Sequence, residues 1–242
     1  MERGISVSSE WWFPGRWLGS GSLIIAPPLL FTGILLRIRF HFFFPQQLAA
    51  YQNHPRLMTA AYSCFLAGNI LLWPAVIAVG NRIGRRNPGW AMWGTSFVIF
   101  GLFARTFHAG ADYLAFQMVR IEGVESATKT IGASYGAFHV VSALNATIML
   151  GWILLAVGCY LSGTMGLVRS VSLGSMSALM LGVMKGSSIT SVVAASGLCI
   201  AFVPLGFSLL RTPSPPGTRN LLLGIAAALS LVAALFYVGS LG

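Results

Sequence analysis

The chain has 242 residues, of which 56% are apolar and only 8% are charged, and its mean hydropathy is +0.78. Ordinary soluble domains carry about 25% charged residues, so this chain has more apolar surface than a core of its size can bury. The composition excludes a disordered chain and a water-soluble domain. It predicts a multi-pass membrane protein.

The net charge of +10 comes from 15 Lys and Arg residues against 5 Asp and Glu residues. A strongly basic chain can bind nucleic acid, but here the basic residues are scattered in short segments between apolar runs. That distribution is typical of the loops that orient membrane helices. We therefore expect membrane lipids as partners and no nucleic acid.

Seven apolar runs are close to the length of about 17–25 residues that a helix needs to cross a bilayer. They predict an all-α fold, a polytopic transmembrane helical bundle with six or seven spans, in a single membrane domain over residues 1–242. The first and fifth runs are the weakest, because the first contains Pro27-Pro28 and the fifth is short and rich in Gly and Ser. The predicted spans are 20–37, 57–80, 90–119, 132–161, 167–185, 188–210 and 220–240.

Residues 38–56 differ from the runs on either side, because they mix clustered aromatic side chains with Arg, His and Gln. Such side chains suit the headgroup layer, where ring faces and polar edges are both satisfied. The composition predicts a short interfacial helix or lid, with a simple loop as the alternative.

The basic residues also indicate an orientation. The compact loop that carries Arg82, Arg85 and Arg86 favours the inside of the membrane. This places the amino terminus inside and residues 38–56 on the outer face.

The third run contains three polar residues that carry chemistry, namely Arg105, His108 and Asp112. At 100° per residue they fall within an arc of roughly 60°, so they form one stripe on a helix. A charged side chain at the centre of a bilayer costs about 3 kcal/mol on insertion scales. The stripe should therefore face protein or a watered cavity, with Arg105 and Asp112 as an ion pair and His108 between them.

The fourth run offers partners for this stripe. His139 and Ser142 share one face of the predicted helix, and Asn145 flanks it. A short loop makes the third and fourth helices antiparallel neighbours, so His139 is expected to meet His108 and Asp112 in the outer half of the membrane. Two further residues are expected near the mouth of this pocket, His54 and Glu122.

An ionisable pocket of this kind predicts proton transfer on a lipophilic substrate, because His titrates near neutrality and an Asp–His pair can act as general acid and base. The expected reaction is a cyclisation, isomerisation or hydration. The predicted catalytic residues are Asp112, His108 and His139, and the predicted substrate-binding residues are Arg105, Ser142, Asn145, His54 and Glu122.

Several alternatives remain open at the level of sequence. The polar stripe could serve only as interhelical hydrogen bonds, or the protein could be a transport accessory or self-protection protein for an amphiphilic compound. A metal- or haem-binding subunit for electron transfer or anchoring is also compatible with His108, Asp112 and His139. Because their spacing is generic, no metal and no cofactor is predicted.

The layout of residues 54–162 is similar to that of a known class of proteins. It has a His-Pro step before the second run, an Arg-rich turn, then Phe107-His-Ala-Gly-Ala-Asp-Tyr-Leu-Ala115, and a helix closing with Gly151-Trp-Ile-Leu-Leu-Ala156. This layout resembles small bacterial multi-pass membrane proteins of unassigned function. The resemblance implies a bacterial cytoplasmic membrane and transfers no activity.

Overall fold

The computed structural model describes residues 12–134, 140–179, 182–211 and 218–239, and all regular secondary structure in them is helical, which confirms the all-α class. The chain forms two units, Met1–Leu210 and Arg211–Gly242. The single membrane domain over 1–242 stays a prediction. The α-helices are α1 (Gly15–Arg37), α2 (Phe44–Asn53), α3 (Pro55–Gly84), α4 (Pro88–Glu122), α5 (Val124–Ser134), α6 (Val140–Leu161), α7 (Leu167–Gly174), α8 (Ile189–Leu210) and α9 (Thr218–Gly239).

Four of the described helices, α1, α3, α6 and α8, are long and apolar enough to cross a membrane, with 22 to 30 residues each. Helix α1 is continuous through Pro27 and Pro28, so the weak first run forms a full-length helix. Helix α4 is longer, at 35 residues, but its polar stripe makes it less apolar and it is not one of the four. By length and composition, the described residues thus give four candidate spans rather than six or seven.

The helices of the first unit pack side by side in a closed ring. Helix α1 packs against α3 and α8, α4 packs against α3 and α6, and α7 lies between α6 and α8. Large apolar side chains fill the interior, and Leu23, Leu72, Trp152 and Phe202 are completely buried there. The ring therefore has a continuous apolar core along most of its length.

Glycines bring the helices of this ring into close contact. A Cβ atom on Gly33 of α1 would lie 2.6 Å from the carbonyl oxygen of Ala61 on α3, and one on Gly68 would lie 2.6 Å from the backbone nitrogen of Leu30. Gly151 makes the same kind of contact between α6 and the backbone of Val98 on α4. Small residues at such crossings let helix backbones approach, which is how membrane helices commonly associate.

A second, smaller core lies at one end of the ring, where α2 and α5 pack against α3 and α4. Leu48, Met58, Phe116, Ala127 and Met184 contribute to it. Helix α2 lies within the predicted interfacial segment 38–56, so the simple loop considered for that segment is wrong.

Most of the predicted fourth span, 132–161, is the helix α6. Helix α5 ends at Ser134 and α6 begins at Val140, and residues 135–139 lie outside the described part of the chain. The long apolar helix is therefore α6.

The predicted fifth span, 167–185, is not one helix. Helix α7 has only 8 residues, a 3-10 turn covers Ser175–Ala178, and residues 182–188 are irregular up to α8. The run is rich in Ser and Gly, which compete with or weaken helical hydrogen bonding, and Gly182 has a positive φ of 120°.

The broken segment, defined as the described residues of 162–188, nevertheless has its two ends at opposite ends of the ring. At one end, Arg86 beside the α3–α4 turn donates a hydrogen bond to the carbonyl oxygen of Ser162. At the other end, the backbone nitrogen of Gly186 donates to the carbonyl oxygen of Phe42, just before α2. Helix α3, whose ends lie near these two points, is about 45 Å long at 1.5 Å per residue. The irregular backbone is tolerated because it is buried against protein or lines a cavity.

The second unit contains helix α9, which matches the predicted span 220–240 closely. It has 22 residues, and the apolar side chains described in it are exposed, among them Leu222, Leu229 and Phe236.

We predict that Gly33→Ala destabilises the protein, because the added methyl group meets the backbone of α3 at less than normal contact distance. Strain of about 1–3 kcal/mol should lower the Tm in detergent by roughly 5 °C. The matched control is Gly21→Ala on the same helix, where no atom lies within 4 Å of the new Cβ and no decrease is expected. Equal Tm values for the two variants would contradict the close α1–α3 contact.

Candidate functional site

A polar cavity of about 40 Å³ lies near the end of the ring that α2 and α5 cover. One water needs about 10–15 Å³ on this measure, so the cavity has room for about three waters or one compact polyatomic group. Its walls come from α1, α3, α4, the broken segment and the start of α8. The lining residues are Ile34, Arg37, Tyr62, Phe65, Arg105, His108, Ala109, Asp112, Leu179, Gly182, Lys185, Gly186 and Ser191.

The polar stripe of α4 forms one wall of this cavity. Arg105, His108 and Asp112 are 6%, 6% and 7% exposed, so all three face inward as their helical spacing predicts. They follow one another at steps of three and four residues and therefore lie on the same helix face. Because they face inward, these side chains avoid the free-energy cost of placing polar and charged groups in apolar surroundings.

The predicted ion pair between Arg105 and Asp112 is wrong for these described residues. The Arg105 guanidinium donates a hydrogen bond to the carbonyl oxygen of Leu179 at 3.5 Å, and Asp112 Oδ1 accepts one from the backbone nitrogen of Met184. Seven residues separate the two side chains, about 10.5 Å along the helix axis, and the broken segment offers each a nearer partner. The cation whose charge interacts with Asp112 is Arg37.

Arg37, at the end of α1, is a site residue that the sequence analysis missed. It is only 4% exposed, and its Nε donates to Ser187 Oγ at 3.1 Å. Its Cζ lies 4.4 Å from the ring centroid of Tyr62 and 4.8 Å from that of Phe65, positions at which aromatic faces stabilise a cation. Helical spacing could have identified it, because Arg37 continues the face of α1 on which Leu30 and Ile34 are buried.

Positive charge exceeds negative charge around the cavity. The Arg105 guanidinium also lies over Phe65, 5.9 Å from its centroid, so both arginines contact the same ring. Lys185, half-buried on the broken segment, also lines the cavity, with its Nζ 5.2 Å from the ring centroid of Phe43. Among the described lining residues, Asp112 is the one carboxylate. Because buried charge is costly without compensation, this excess is the strongest electrostatic feature of the site.

The broken segment closes the cavity on the side of α2. Met184 has a φ of 53°, a left-handed conformation that is uncommon outside glycine, and its backbone nitrogen is the donor to Asp112. Gln47 of α2 donates to the carbonyl oxygen of His41 and accepts a hydrogen bond from Tyr62 Oη at 3.1 Å. Tyr62, which lines the cavity, is thus hydrogen-bonded directly to α2.

A larger groove of about 270 Å³ adjoins the cavity between α3 and α4. Both share Tyr62 and Ala109 in their walls. The groove is mixed in character, with Tyr113 and Phe116 beside Gln117 and other polar groups. Its position beside a charged cavity suits a molecule that has both a polar and an apolar part.

Two predicted substrate-binding residues lie away from the cavity, near the helix ends. His54 is exposed at the start of α3 and contacts the ring of Phe40, whereas Tyr62 and Phe65 face the cavity about two turns further on. Glu122 is exposed at the end of α4, about 15 Å beyond Asp112 along the axis, and accepts a hydrogen bond from Ser126. Neither residue lines the cavity in this structure.

The predicted contribution of α6 is also not found in the described lining. Ser142 and Asn145 are half-buried on α6 but are not among the residues that surround the cavity. Helix α6 packs on a different face of α4, where Gly94 and Gly101 contact Leu155 and Ile148. His139, the third predicted catalytic residue, lies outside the described residues.

Metal ligation finds no support in the described part of the chain. Within residues 12–134, 140–179, 182–211 and 218–239, no group of three or more His, Cys, Asp and Glu side chains is placed to hold a metal ion.

Comparisons with known proteins add no family assignment: no family model, curated protein or solved structure matches the chain. The resemblance to small bacterial membrane proteins stays a prediction.

We predict that Gly186→Ala loosens the wall that the broken segment provides. A Cβ atom there would lie 2.8 Å from the Cα of Phe42 and would also collide with the amide of Gln47. Deuterium uptake by the amides of residues 182–188 should therefore rise, including that of Met184. Gly166→Ala, at the start of the same segment, meets no atom within 4 Å and is the matched control. Unchanged uptake in Gly186→Ala would show that this contact does not hold the wall.

Proposed function

We propose that this protein is a membrane-embedded enzyme that performs acid–base chemistry on a lipophilic substrate. The observation that carries the proposal is that Asp112 and His108 lie one helical turn apart, both almost fully buried, and both line one cavity. Few membrane helices bury such a pair without a functional reason. The reaction class is a cyclisation, isomerisation or hydration, in which a proton is removed at one position and returned at another.

The contacts of Asp112 suit this role. Its Oδ1 accepts the backbone hydrogen bond of Met184, which fixes the carboxylate and leaves Oδ2 as the oxygen to take or give a proton. His108, one turn earlier, would carry the complementary proton. The proposal rests on these two side chains alone, since His139 lies outside the described residues.

The setting that we propose is a bacterial cytoplasmic membrane crossed six or seven times, with the amino terminus inside. Helix α4 lies between the candidate spans α3 and α6, and the broken segment runs the length of the ring between α6 and α8. Together with α1 and α8 these make six crossings in the first unit, and the length of α9 fits a seventh. In this orientation the cavity lies in the outer half of the membrane.

One observation favours a second candidate function, a non-enzymatic carrier or self-protection protein for an amphiphilic compound. The groove between α3 and α4 adjoins the cavity at Tyr62 and Ala109, which would let an amphiphile bind without being converted. Such a protein would bind its ligand and release it unchanged.

We predict that Asp112→Asn abolishes turnover and leaves the fold intact, because the amide keeps an acceptor for Met184 but cannot take a proton. The assay incubates purified protein in vesicles made from the lipid extract of the cells that produce it. Mass spectrometry then follows products that keep the substrate mass or add one water. General acid–base catalysis typically contributes about 10²–10⁴-fold, and a loss of that order is expected.

The matched control is Glu125→Gln, which neutralises an exposed carboxylate on α5 and should leave turnover unchanged. Retained turnover in a folded Asp112→Asn variant would overturn the assignment of Asp112. Depletion of a lipid from the vesicle extract onto the wild-type protein without any product would favour the carrier.

A further inference from the structure

We propose that the cavity binds the phosphate monoester group of an amphiphile, held by Arg37, Arg105 and Lys185. This inference rests on the proposed function, because it names the class of substrate that the same cavity would accept. It concerns binding rather than the proton transfer, and it can therefore be tested separately.

The first argument is charge. Three cations and one carboxylate line the cavity among the described residues, which leaves an excess of two positive charges when His108 is neutral. Arg37 and Arg105 are both more than nine-tenths buried, and each raises the cost of the other because their charges interact. A phosphate monoester carries about −1.5 to −2 charges near neutral pH, which matches this excess.

The second argument concerns the hydrogen-bond donors of the two guanidinium groups. Arg105 Nε is buried and has no hydrogen-bond partner among the described residues, and the hydrogen bond that its guanidinium donates to the carbonyl oxygen of Leu179 is long, at 3.5 Å. Arg37 donates to Ser187 through Nε, and its guanidinium lies beside Tyr62, a residue that also lines the cavity. A guanidinium presents several donors in a planar fork that fits phosphate oxygens, whereas a neutral substrate would leave these donors unsatisfied.

The third argument is size and access. The cavity of about 40 Å³ is large enough for one compact oxyanion but not for a whole lipophilic molecule. The adjoining groove of about 270 Å³ offers a place for the remainder of the ligand. Tyr62, which forms part of both walls, would then contact the junction between the phosphate and the apolar part.

Asp112 provides a test that distinguishes a specific anion site from a generally basic surface, namely its effect on the affinity for the anion. Its carboxylate lines the same cavity and carries the same sign of charge as the anion, so it opposes binding. We therefore expect Asp112→Asn to bind a phosphate monoester several-fold more tightly while it loses turnover. A purely catalytic defect would leave binding unchanged, and general misfolding would weaken it.

The experiment measures binding to the purified full-length protein in a neutral detergent. The probes are phosphatidic acid, which bears a phosphate monoester on a lipid, inorganic phosphate, oleate as a carboxylate amphiphile, and phosphatidylcholine as a zwitterionic phosphodiester. Phosphatidic acid should bind, raise the Tm and exceed oleate and phosphatidylcholine in affinity. Stabilisation by inorganic phosphate to the same extent would assign the site to the free ion rather than to a lipid.

The decisive variant is Arg105→Gln, which removes one buried cation and should weaken the binding of phosphatidic acid by about tenfold or more. Arg56→Gln removes an exposed cation near the start of α3, at the same end of the ring, and should not change the affinity. Because Arg105→Gln also removes a buried charge, its fold is checked by Tm, and Lys185→Gln on the half-buried wall provides a second test.

The outcomes separate the two proposals. Binding of phosphatidic acid that depends on Arg105 and Lys185, in a protein that converts no lipid, would support the anion site and overturn the enzyme. Equal affinity in the wild type, Arg105→Gln, Lys185→Gln and Arg56→Gln would overturn the anion site, whatever the result of the turnover assay. Preference for oleate over phosphatidic acid would likewise overturn the phosphate assignment.

Discussion

Two arginines and an aspartate lie almost fully buried at one end of a ring of apolar helices, and the rest of the site is organised around the cost of burying them. Each makes a hydrogen bond to a residue distant in sequence: Arg37 to Ser187, Arg105 to Leu179 and Asp112 to Met184. All three contacts come from the broken segment: Leu179 and Met184 use backbone groups that a regular helix would use internally, and Ser187 uses its side-chain hydroxyl. The break in the helix is therefore a structural requirement of the buried charges.

Much of this arrangement could be predicted from the amino-acid sequence. Apolar length alone identified helices at α1, α3, α6 and α8, and helical spacing placed Arg105, His108 and Asp112 on one inward face. These predictions succeed because they depend on local periodicity and on the general cost of charge among apolar groups. Pro27 and Pro28 were less disruptive than expected, since a packed helix can tolerate the hydrogen bonds that proline removes.

The partners across the cavity could not be predicted in the same way. Arg37 stands at the end of the predicted span 20–37, where an arginine is typical of a helix end, although its spacing from Leu30 and Ile34 places it on the buried face of α1. Hydropathy predicts one helix over 167–185, because it reports polarity and does not distinguish a helix from buried irregular backbone. His54, Glu122, Ser142 and Asn145 were grouped with the site by approximate depth, and depth alone does not tell which helix face meets which neighbour.

The cavity also has a place in the order in which the chain is made. Arg37 and Ser187 are 150 residues apart in sequence, and Arg105 lies 74 residues before Leu179. A chain that emerges from its amino end therefore brings two cations to the membrane long before their hydrogen-bond partners exist. Tyr62 and Phe65, whose rings contact the Arg37 guanidinium, are made long before Ser187, so the cation–π partners of Arg37 exist earlier than its hydrogen-bond partner.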